Sequence, residues 1–147
     1  AEVNAKDITN GQNALMFAAA LGRADVVKLL ALKGAALDET TKVTEIVKRE
    51  YRYLQQQAQN TNRSRQIRRE GATSLPTMGG MTALQFATRE GHMDVVRGLV
   101  EAGANVNRVN AADHMSALTS ALLNGGFDIA MYLVENGADP NLGSTTS

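Results

Sequence analysis

Thr82-Ala-Leu-Gln-Phe-Ala-Thr-Arg-Glu-Gly-His-Met-Asp-Val-Val-Arg-Gly-Leu-Val-Glu-Ala-Gly-Ala-Asn-Val-Asn107 decides the fold. Thr82 is placed to cap a helix, its hydroxyl accepting one of the orphan N–H groups of the first turn. Ala83, Leu84, Phe86 and Ala87 present small and apolar groups at helical spacing. Gly91 supplies a stop, because glycine reaches left-handed backbone angles cheaply. Asp94 opens a second helix at its positive end. Val95, Val96, Leu99 and Val100 form that helix's apolar face, and Gly103 ends it. The unit is two short antiparallel helices and a turn. Neither helix is stable alone at this length, so the unit needs neighbours.

The neighbours are in the chain. Asn13-Ala-Leu-Met-Phe-Ala-Ala and Ser116-Ala-Leu-Thr-Ser-Ala-Leu repeat the opening. Each is followed by a glycine (Gly22, Gly125), an acidic helix start (Asp25, Asp128) and a Gly-Ala stop (Gly34-Ala35, Gly137-Ala138). The step is 34 residues from Leu84 to Leu118 and 69 from Leu15 to Leu84. Periods of this size mark a stacked solenoid. Alanines 18, 19, 87 and 121 suit close helix–helix approach.

These residues resemble the ankyrin repeat. Its signature is Thr-Pro-Leu-His-x-Ala-Ala, then Gly-His, a Val-Val-Lys-Leu-Leu helix and a Gly-Ala-Asp-Val-Asn tail. Gly91-His92-Met-Asp-Val-Val and Gly137-Ala-Asp-Pro-Asn141 match it well. The resemblance implies an all-α solenoid of helix-turn-helix repeats with β-turn fingers, and a protein-binding role. It extends to the long, interrupted ankyrin arrays of bacterial proteins. Two departures stand out: the signature proline is alanine at 14, 83 and 117, and the signature histidine is Met16, Gln85 and Thr119. The family's histidine bonds across the loop layer are therefore missing or replaced. Fingers one residue longer than the family pattern account for the 34-residue step. Asn10-Gly11 is a hairpin-turn dipeptide. His114 stands where the third finger needs its turn glycine, so a different tip is expected there.

The single domain divides into 1–4 (tail of a preceding repeat), a repeat at 5–38, a degenerate or inserted segment at 39–79, repeats at 80–107 and 108–141, and the start of a further repeat or tail at 142–147. The chain thus reads as cut from a longer array. In the interruption, Val43, Ile46, Val47, Tyr51, Leu54 and Ala58 share one helical face, which predicts a helix over about 42–58. From Lys42 to Glu70 stand eight basic residues and three acids; the rest of the chain has seven and twelve. Arg63, Arg65, Arg68 and Arg69 then form either a basic arm for an acidic partner or a solvated face. Nucleic acid is disfavoured, since Tyr51 and Tyr53 are the only nearby aromatics.

The chain is 147 residues long, formally neutral and without cysteine, which excludes disulfides and thiolate metal sites. No apolar run approaches the roughly 18 residues a membrane span needs. The start carries no signal-peptide pattern, and the compartment stays open. His92 occupies a structural slot between the helices, and the Asp113-His114 pair lacks the further ligands a metal needs. No phosphate loop or paired carboxylates stand out, so no enzyme activity, cofactor or metal is expected.

In ankyrin-like stacks partners lie along the concave face of finger tips and first helices. By motif position that face comprises Thr9, Asn10, Gln12 and Leu21; then Met78, Met81, Arg89 and Glu90; then Asp113, His114, Met115, Leu123 and Asn124. Met81 and Met115 serve adaptable recognition or fill gaps between fingers. Three functions fit: a protein-interaction module, end-to-end self-assembly through uncapped repeat ends, or a regulatory domain of a longer enzyme.

Overall fold

The computed structural model describes residues 2–45 and 77–142. The chain forms two units, Ala1–Lys42 together with Gly79–Ser147, and Val43–Met78. In the first unit the described residues form three helix pairs: α1 (Ala14–Ala20) with α2 (Ala24–Leu32), α3 (Ala83–Glu90) with α4 (Met93–Glu101), and α5 (Ala117–Leu123) with α6 (Phe127–Glu135).

The first helix of every pair is capped alike. The Met16 N–H donates to Asn13 Oδ1 at 2.9 Å, the Gln85 N–H to Thr82 Oγ1 at 3.2 Å, and the Thr119 N–H to Ser116 Oγ at 3.2 Å. Each cap is worth about 1 kcal/mol against alanine. The second helices start without a side-chain cap, but each carries an aspartate in its first turn, where the helix dipole favours negative charge.

Layers stack in chain order: α1 on α3, α3 on α5, and α2 on α4. Ala18, Ala87 and Ala121, buried at one shared position, let the first helices approach closely. Leu15, Leu84 and Leu118 bury the matching large groups between layers, each worth about 1.5–3 kcal/mol when removed from water.

The repeats are also tied by polar ladders. Asn4 Oδ1 accepts the Ala36 N–H, Asp38 Oδ1 the Asn105 N–H, and Asn107 Oδ1 the Asp139 N–H, each at 2.8 Å. His92 Nε2 lies 3.1 Å from the Ala20 carbonyl, so this histidine joins two repeats as a structural group. Gly22 lies beside the ring, where a Cβ would come within 2.8 Å of His92 Cε1. Only glycine fits there.

The three fingers share one geometry. Asp7, Thr41 and Asn110 each donate their N–H to a carbonyl across the tip, of Gln12, Met81 and Met115, at 2.8, 3.0 and 2.9 Å. Gly11, Gly80 and His114 each donate back to the opening residue, at 3.2, 3.2 and 2.8 Å. Two expectations bear on this. The first is corrected, for the third finger does not have a different tip: His114 takes φ 59°, beside 68° for Gly11 and 69° for Gly80. Left-handed backbone costs an L-residue on the order of 1–2 kcal/mol. Asn110 Oδ1, accepting the Ala112 N–H at 2.7 Å, and Asp113 Oδ1, accepting the Met115 N–H at 3.0 Å, hold the tip against that cost. Second, of the two alternatives for 39–79, a degenerate repeat or an insertion, neither places a described layer between repeats one and two, because α1 meets α3 directly. The 69-residue step is one 34-residue repeat with the balance spliced into its finger, between Thr41 and Gly80.

Within the second unit, β1 (Thr44–Glu45) pairs antiparallel with β2 (Thr77–Met78), Thr44 opposite Met78 and Glu45 opposite Thr77. The helix expected over about 42–58 therefore does not begin where its apolar face suggested: pairing with 77–78 takes the backbone at 44–45 into a strand. Its remaining residues, and the four arginines of the basic arm, lie outside the described residues.

Gly98 lies inside α4 with no steric need for glycine, since a Cβ there would meet only Lys28 Cγ and Cε, at 3.9 Å. Gly98→Ala should therefore raise stability by about 0.5–1 kcal/mol, measurable as a higher urea midpoint at unchanged slope.

Candidate functional site

α3 and α5, with the second and third fingers ahead of them, enclose an open groove of about 240 Å³. Five residues expected on the concave face meet in it: Met81, Arg89, Asp113, Met115 and Asn124. Gln85, Asn110, Ser116 and Ser120 complete the lining; sequence reading missed them as surface groups. Register carries a signal for one of them: Asn110 occupies the finger position of Asp7 and Thr41.

Gln85 organises the floor. Its Oε1 accepts the Thr82 N–H at 3.1 Å, completing a capping box. Its Nε2 donates to the carbonyls of Arg108 at 3.0 Å and Met115 at 3.3 Å. The glutamine thus takes over cross-finger bonding where the histidine of the family pattern would stand. Met16 at the equivalent position is a buried apolar filler, and Thr119 bonds only locally, to Ser116 Oγ at 3.1 Å.

Arg89 is held at the rim by three neighbours. Its Nε pairs with Glu90 Oε1 at 3.1 Å, its Nη1 points at Met81 Sδ at 3.4 Å, and its guanidinium lies 5.1 Å from the Phe86 ring centroid. The ion pair is exposed and adds little stability; its effect is to fix the side chain. Asp113 places a carboxylate on the facing finger. Asn124 Nδ2 is tied back to the Ser120 carbonyl at 2.8 Å. The groove therefore offers a fixed cation, an anion and two thioethers, suited to a peptide surface. Met81 also packs against the core, so it fills a gap and faces the groove at once.

The other expected residues lie elsewhere. Thr9, Asn10 and Gln12 belong to the first finger, where the Asn10 carbonyl accepts the Lys42 N–H at 2.9 Å. Leu21 and Leu123 are exposed at the ends of α1 and α5, and His114 shapes the third finger. None of these lines the groove. Met78 is on β2 of the second unit.

The first finger carries a charge that sequence reading passed over. Asp7 accepts the N–H groups of Asn10 at 2.6 Å and of Gly11 and Gln12 at 3.2 Å. These bonds, that from Asn10 foremost, hold the carboxyl below its ordinary 3.8. A depressed pKa stabilises the finger above the ordinary value, and this contribution is lost as pH falls through the folded pKa. Amide exchange at Asn10, Gly11 and Gln12 should show protection lost below about pH 4, and lost at neutral pH in Asp7→Ala.

Among the described residues no group of three or more His, Cys, Asp or Glu side chains gathers as a metal site would require. No helix there is long and apolar enough to cross a membrane. No curated protein matches the chain. A family model described as ankyrin repeats (3 copies) matches residues 1–110 and 46–144. With paired helices, three fingers and a Gly-His layer already in place, the chain belongs to the ankyrin-repeat family, whose repeats are in general protein–protein interaction modules.

Proposed function

We propose that this chain is a non-enzymatic docking module whose partner protein lies along the groove between the second and third fingers. One observation carries the reading: Met81 and Arg89 from the second repeat and Asp113 and Met115 from the third line a single groove whose floor is tied together by Gln85. Fixing these groups before binding lowers the ordering cost of association. The test is capture of a partner by the intact chain, compared with an Arg89→Glu, Asp113→Lys double variant. Loss of capture by about tenfold or more is expected, the scale of a buried interfacial charge pair; a matched variant at Lys33 and Glu135, outside the groove, should bind normally. Unchanged capture by the groove variant defeats the reading. A companion chain with Arg63, Arg65, Arg68 and Arg69 replaced by Ser asks separately, at low salt, whether the basic arm takes part.

A specific observation favours a second reading, end-to-end self-assembly. The terminal layers expose apolar side chains at positions buried in the middle repeat: Phe17 and Val26 in the first, where the middle repeat has Phe86 and Val95, and Leu122 in the last, where it has Thr88. Stacking of that kind is heterologous and runs on into filaments. A light-scattering mass that stays monomeric across a dilution series removes it.

A further inference from the structure

A second depression lies between α2 and α4, remote from the groove in fold position. Its walls are Lys28, Ala31, Leu32, Gly98, Glu101 and Ala102, around about 460 Å³. The neighbouring repeat shows what such a space holds. Thirty-four residues beyond Gly98 stands Tyr132, half-buried, with the Arg97 guanidinium 5.4 Å from its ring centroid. Arg97 in the second repeat occupies the position of Lys28 in the first. The α2–α4 pair thus keeps the cation and lacks the ring. Crowding does not explain the missing side chain, because a Cβ at 98 would meet only Lys28 carbons at ordinary contact distance.

We propose that this depression receives a tyrosine side chain of a partner protein, its ring beneath Lys28 and its hydroxyl donating to the Glu101 carboxylate. The charges are complementary: the ring's negative face suits the ammonium, and the phenol O–H suits the carboxylate. Ala31, Ala102 and the open backbone at Gly98 give the apolar floor. Leu32, 84% exposed at the edge, gains cover when the site is filled.

The test is an NMR titration of the full isotope-labelled chain with N-acetyl-tyrosinamide, and in parallel with N-acetyl-leucinamide. Saturable shifts at the amides of Ala31, Leu32, Gly98 and Ala102 are expected with the tyrosine probe alone. Lys28→Met should weaken that binding about two- to fivefold, the size of an exposed cation–π contact, and Gly98→Tyr should abolish it by filling the site from within. Because a large substitution can disturb α4, Gly98→Ser serves as a second variant and should weaken binding without loss of the helical spectrum. Absence of shifts at these amides, an equal response to the leucine probe, or concentration-dependent broadening there without probe (a second copy as occupant) each overturns the proposal.

Discussion

Leu99→Ala should cost about 2–5 kcal/mol and should break the cooperativity of the stack. Leu99 is fully buried in α4, in the only described repeat with a neighbour on each side. In a solenoid each repeat is held by its own packing and by nearest-neighbour interfaces. A cavity in the middle repeat weakens both interfaces at once, so urea unfolding should show a lower midpoint together with a shallower slope. Leu133→Ala removes the matching, equally buried side chain from α6, but weakens one interface only. It should lower the midpoint and release the last repeat first, visible as selective exchange in α5 and α6 with α1–α4 still protected. If the two variants unfold alike, nearest-neighbour coupling does not describe this chain.

Gln85→Ala should cost about 1–3 kcal/mol, the range for leaving buried polar partners unsatisfied, and should loosen the third finger. The side chain is only 4% exposed and serves three backbone groups: the Thr82 N–H and the carbonyls of Arg108 and Met115. Its loss should raise amide exchange at Asn110 and Met115 and weaken partner capture without any change to groove-facing charge. Gln85→His, restoring the residue of the family pattern, keeps a ring N–H for the finger carbonyls and should lose less. A His variant as damaged as the Ala variant would mean that the glutamine acts through the capping box and not through the finger.

The paired helices were readable in the sequence because their signals are local. Asn13, Thr82 and Ser116 cap three residues ahead, and Gly91 ends α3 in left-handed backbone. The fingers were harder. Thr41 is recognisable as a finger residue only through its partner Met81, forty residues away, and no composition signal marks that pairing. The apolar face from Val43 onward was mistaken for a helix start because period alone does not say whether the first residues pair with another strand. His114 misled in the opposite direction: the backbone it needs is unfavourable for histidine, but Asn110 and Asp113 supply the bonds that hold it. Arg89 and Asp113 were found by motif position, whereas Gln85 was read only as a lost histidine, since its role depends on carbonyls brought up from the next finger.

The second finger also orders events in time. In the unfolded chain the first and third tips close over three residues, but bringing Thr41 to Gly80 closes the span 42–79. Loop-closure entropy makes that contact about 2 kcal/mol less favourable at the start. Repeats two and three, joined by a short finger, have no such delay, and contacts close in sequence form faster. They should therefore form first, with α1 and α2 docking onto them last, an order that pulsed amide exchange during refolding would read directly. A chain caught part-way then carries α3 bare, with Phe86 awaiting the cover that the first repeat gives it; the vulnerable moment in the life of this protein belongs to its first repeat.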